Sequence, residues 1–117
     1  MGFFRREKSH TTAVQHAVIT HLPLSGDEFG TPDERDAVHE LEDRIEAAVA
    51  AVGGDHDGDE FKGGEAVLYT YGPDADALLD AIRNSFEDFP LRPGAYAIKR
   101  YGAADDPAAR EERVSLA

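Results

Sequence analysis

The residues best able to do chemistry crowd into one acidic, glycine-rich stretch, Asp55-His56-Asp57-Gly58-Asp59-Glu60-Phe61-Lys62-Gly63-Gly64. Alternating aspartates suggest calcium. An EF-hand loop needs oxygen ligands at positions 1, 3 and 5, glycine at 6 and a bidentate glutamate at 12. Counting from Asp55 supplies Asp57 and Asp59 but puts Glu60 at position 6 and Ala66 at position 12. The register fails at its two most diagnostic places. A looser metal site drawing on Asp55, His56, Asp57 or Asp59 competes with a solvated loop, and the solvated loop is the expectation, with no metal and no cofactor. The five histidines, His10, His16, His21, His39 and His56, give no H-E-x-x-H spacing. His16 and His21 are five apart on a strand pattern and so point to opposite faces. Packed or hydrogen-bonded roles are expected for both.

Other catalytic patterns are missing too. Ser25 lies in Pro23-Leu24-Ser25-Gly26, outside a G-x-S-x-G frame. Gly53-Gly54 and Gly63-Gly64 fit neither a P-loop nor a dinucleotide fingerprint. No two carboxylates stand out as a close, desolvated acid/base pair. With no cysteine in the chain, thiolate catalysis, disulfides and cysteine-bound metals are excluded, and a cytoplasmic location is expected.

The net charge of −12 is unevenly spread. Residues 1–10 hold three basic side chains and one acidic, so the other 107 residues carry −14. Such a body repels phosphate backbones, so nucleic acid is not an expected partner. A basic protein is. No apolar run approaches the ~20 residues of a membrane span. Phe3 and Phe4 are too few for a signal peptide's apolar region, and Arg6 spoils a myristoylation pattern. Residues 1–12 read as a flexible basic segment and 13–117 as one domain.

The elements that must carry these residues follow from periodicity. Residues 13–22, rich in β-branched side chains, predict a first strand. Thr31, Pro32 and Glu34 form a capping-box start, and Val38, Leu41, Ile45, Ala48, Val49 and Val52 continue as one helical stripe. Gly53-Gly54 stops it. A short edge strand is expected at 59–62 and a strong strand at 65–71. Asp74 caps a second helix with Ala75, Leu78, Leu79, Ile82 and Phe86 on its buried side. Residues 95–101 read as a further strand, on which residues 113–116 can pair back. The order predicts an α+β, ferredoxin-like β-α-β-β-α-β sandwich with an extra C-terminal strand, its antiparallel sheet carrying both helices on one face.

In that frame Val67, Tyr69 and Tyr71 share one strand face, and Tyr96 and Arg100 share a face of theirs. These tyrosines either close the core beneath the C-terminal segment or line an open face suited to protein binding or a homodimer. Gly26-Asp27-Glu28-Phe29-Gly30 also echoes Gly58-Asp59-Glu60-Phe61-Lys62-Gly63. Coincidence in an acidic chain explains the echo. The sharper reading makes Phe29 and Phe61 apolar anchors ringed by acids such as Asp59 and Glu60.

The run from Asp59 to Leu79, with Leu22–Gly30, Gly94-Ala95-Tyr96 and Arg100-Tyr101-Gly102, resembles a family of small uncharacterised bacterial proteins with a ferredoxin-like fold. That resemblance implies no activity. In architecture and acidity alone the chain is similar to the ribonuclease E regulator B family, which binds and inhibits an enzyme. The sequence thus points to a non-enzymatic acidic protein-binding or regulatory module, with Phe29, Asp59, Glu60, Phe61, Tyr69, Tyr71, Tyr96 and Arg100 as contact candidates. The alternative is a small-molecule-binding domain or minor enzyme, with a pocket between the sheet face and the loops near Asp27 and Asp55.

Overall fold

A computed structural model of the chain describes residues 15–103 and 105–117. The basic segment 1–12 and the first two residues of the expected first strand lie outside them. Among the described residues, seven elements run in the order β1 (His16–Pro23), α1 (Pro32–Ala50), β2 (Asp55–Lys62), β3 (Glu65–Gly72), α2 (Ala75–Asn84), β4 (Tyr96–Arg100) and β5 (Glu111–Ser115).

Both helices begin where the sequence provides acceptors for their free N–H groups. Thr31 accepts from the Glu34 backbone while the Glu34 carboxylate accepts from the Thr31 N–H, a closed capping box with Pro32 at the first helical position. Asp74 accepts from the N–H groups of Asp76 and Ala77 at the start of α2.

The sheet runs β2-β3-β1-β4-β5, and every neighbouring pair is antiparallel. This is the ferredoxin-like arrangement with one strand added at the β4 edge. Register decides which side chains share a face. Thr20 pairs with Leu68 and Ala97, so Val18, Thr20 and Leu22 line one side with Ala66, Leu68, Ala95 and Ala97. Val38, Leu41, Ile45 and Val49 of α1, and Leu78 and Ile82 of α2, pack onto that side with no exposed surface. At 25 cal/mol per Å2 of apolar area, each such aliphatic side chain stabilises the fold by about 1.5–3 kcal/mol.

One expectation is corrected. Residues 55–58 are strand rather than flexible loop, so β2 is eight residues long. Its register slips between His56 and Gly58. Gly58 takes a φ of 132°, a backbone region that L side chains avoid.

Candidate functional site: the sheet face opposite the helices

Tyr69 and Tyr71 of β3 share the face away from the helices with Glu60 of β2, Ile19 and His21 of β1, Tyr96, Ile98 and Arg100 of β4, and Arg113 of β5. The three tyrosines are half-buried. One row crosses four strands. The Glu65 carboxylate lies 3.2 Å from Nδ1 of His21, whose ring stacks on Tyr96 at 4.4 Å with 8° between planes. The Arg113 guanidinium sits 3.6 Å from the Tyr96 ring centroid.

Nearby, the Tyr69 hydroxyl donates to Glu60 at 2.6 Å. That bond stabilises the neutral phenol and pushes it up to about 12, while holding the Glu60 carboxyl below its ordinary value. Burial raises the Tyr71 phenol, and the negative charge of Asp57 adds to the effect. Arg100 is already engaged, since its guanidinium meets Glu111 at 2.7 Å and donates to the carbonyls of Ala103 and Asp106. Its cation holds the β4–β5 connection rather than reaching for a ligand.

The remaining contact candidates fall elsewhere. Phe29 sits in the β1–α1 loop and, among the described residues, is an exposed large apolar side chain, at 49%. That loop leans on the β2–β3 turn: Gly64 N–H donates to the Glu28 carbonyl at 2.9 Å, and Leu24 N–H donates to the Gly64 carbonyl. The two Asp-Glu-Phe segments are therefore spatial neighbours, although their phenylalanines differ. Phe61 turns to the helix side and packs edge-on against His39 at 5.6 Å, so it is a partly buried packing residue and not a second exposed anchor. Asp59 also faces the helices. Asp27 lies beside the β2–β3 turn and Asp55 begins β2, so the length of that strand separates them.

A shallow cleft lies between Leu22, Leu24, Ala37, Phe89 and Leu91. Its one carboxylate, Glu34, is occupied by the backbone N–H groups of Ser25 and Thr31, which hold it below the ordinary glutamate range. The cleft is otherwise lined by apolar side chains and by Arg92, whose charge also acts on Glu34.

A second constellation escaped the strand-and-helix reading. On α1, His39 and Glu42 are three residues apart and so share a face. They meet His56 and Asp59 of β2. His56 Nε2 lies 2.6 Å from the Glu42 carboxylate, and His39 Nε2 lies 3.5 Å from that of Asp59. Burial raises the Glu42 carboxyl against the opposing hydrogen bond from His56. The clue in the sequence was Gly58. In a regular strand His56 and Asp59 would face opposite ways, but a bulge there rotates both toward the helix.

Comparison of the chain with protein-family models, curated proteins and solved structures finds no match to any of them. The reading of the site rests on its geometry. No helix among the described residues is long and apolar enough to cross a membrane.

Proposed function

We propose that this chain is a non-enzymatic, acidic protein-binding or regulatory domain, which takes a basic protein partner on the sheet face opposite its helices. The observation that carries the reading is the aromatic and aliphatic band of Tyr69, Tyr71, Ile19, Ile98 and Tyr96 across the three adjacent antiparallel strands β3, β1 and β4. Tyrosine is enriched where proteins meet, because a rigid amphipathic ring gives contact area at small entropic cost. Asp55, Asp57 and Glu60 add negative charge along the edge strand β2, and the net charge of −12 steers cationic surfaces toward it. In this reading the domain works in the cytoplasm and has no affinity for nucleic acid.

The test is capture of partners from a lysate of the source cells on immobilised full-length chain, alongside Tyr71→Ala and Asp57→Lys. A partner retained at low salt, released by high ionic strength and lost from both variants is the expected result. Equal retention by both variants would sink the proposal. A second copy of the chain is the other reading, favoured by one observation: Glu60 and Glu65 lie toward one side of the face and Arg113 toward the other. A two-fold axis over β1 would oppose them. Light scattering that gives a monomer at high protein concentration removes that reading.

A further inference from the structure

We infer that His39, Glu42 and Asp59 form a binding site for one divalent transition-metal ion, zinc being the representative, with His56 positioning Glu42. One ligand atom from each of the three lies within 4.8 Å of the others. Donors bound tetrahedrally at about 2.1 Å from zinc stand roughly 3.4 Å apart. The 3.5 Å between His39 and Asp59 already has that spacing, and Glu42 would close in from no more than 4.8 Å. Access is graded: His39 is 58% exposed and Asp59 24%, while Glu42 forms the floor at 11%. An ion would enter past His39 and leave its fourth position to water.

Two further features argue for a cation. Among the described residues no lysine or arginine pairs with Glu42 or Asp59, and the only groups facing these two carboxylates in ion pairs are imidazoles. Two partly buried carboxylates set together need a positive charge, and imidazoles are the partners that can also ligate. His56, with only 7% of its side chain exposed, holds Glu42 at 2.6 Å and lies near the Thr70 hydroxyl on its other nitrogen. Such outer partners orient metal-binding carboxylates. The mixed nitrogen and oxygen set suits zinc, manganese, cobalt or nickel. Calcium needs six to eight oxygens, and magnesium prefers carboxylate and phosphate oxygens with several waters.

The experiment is zinc titration of the full-length chain against a chromophoric chelator, with thermal melts beside it. One zinc per chain and a raised Tm are expected. His39→Ala and Asp59→Asn should each weaken binding at least tenfold and abolish the Tm rise, whereas Asp43→Asn, on the exposed side of α1, should change neither. His56→Gln should keep the one-to-one stoichiometry and the ligand-field bands of bound cobalt while weakening affinity about 10- to 100-fold. Absence of stoichiometric zinc binding would overturn the site. So would zinc binding by His39→Ala and Asp59→Asn as tight as that of the unaltered chain, or calcium or magnesium binding as tightly as zinc.

Discussion

Thr20 lies in the middle of β1 with no exposed surface, and its Oγ1 makes no hydrogen bond to any described residue. A buried hydroxyl without a partner costs about 1–3 kcal/mol, because water's hydrogen bonds are given up and not replaced. Valine has nearly the same shape and the same χ1 stiffness. Thr20→Val should therefore raise stability by about 1 kcal/mol, read as a higher urea midpoint at unchanged slope. A lower midpoint would mean that the hydroxyl is satisfied. Glu34 is the opposite case, a polar group with several partners. Its carboxylate accepts from Ser25 N–H and Thr31 N–H, and these bonds lower its folded pKa. The charged form is thus the stabilising one. That contribution is fully present above the unfolded value and disappears as pH falls through the lower folded value. Glu34→Gln should cost about 1 kcal/mol at neutral pH. The gap between variant and wild-type melts should close in acid, and a gap that widened there would reverse the assignment.

Whether an element could be read depended on whether its side chains repeat in hydrophobicity. Helix α1 was legible because Val38, Leu41, Ile45 and Val49 recur at helical steps behind a complete capping box. Strand β3 was legible from its β-branched and aromatic residues, and so was the pairing of β5 on β4, although β5 runs over Glu111–Ser115 rather than 113–116. β2 was legible only from Asp59 onward. Its helix side sets polar groups against polar groups: His56 of the first half on Glu42, and Asp59 beyond the bulge on His39. No apolar alternation marks it, and the bulge shifts the phase of what alternation there is. The cluster was hidden for the same reason, since two-residue periodicity separates His56 from Asp59. Gly58 decides this geometry. A Cβ there meets nothing within 4 Å, yet its φ of 132° is closed to other residues, so the obstacle is conformational rather than steric. Gly58→Ala should cost about 1–3 kcal/mol. Hydrogen exchange should locate the damage, with amides of 55–60 and the β3 amides bonded to them exchanging faster and those of β1 and β4 unchanged. Uniform acceleration across the sheet would mean that β2 does not open as a separate unit.

The topology turns a one-dimensional pattern into two faces, one closed by helices and one carrying the tyrosine band, and the sequence order was enough to anticipate that division. Charge acts at the same scale. The chain holds 24 acidic residues against 12 lysines and arginines. Among the described residues, the lysine and arginine ion pairs are few: Lys62–Glu60, Lys99 with Asp76 and Glu112, and Arg100–Glu111. They are solvent-screened pairs of the kind worth about 0–1 kcal/mol each. At a net charge of −12, repulsion among the carboxylates is expected to outweigh the attraction within these pairs, and it is relieved on unfolding, when the charges separate. Added salt shortens the reach of both, to about 10 Å at 0.1 M and about 3 Å at 1 M. Removing the larger, unfavourable term stabilises the fold. Sodium chloride, raised from low to high concentration at neutral pH, should increase Tm. A gain of 1 kcal/mol would appear as a rise of roughly 4 °C for a domain of this size. Sulfate would raise Tm through exclusion from the surface whatever the charge, so chloride is the informative salt. A Tm that falls in chloride would show that the Lys99 and Arg100 pairs dominate the electrostatics of the fold.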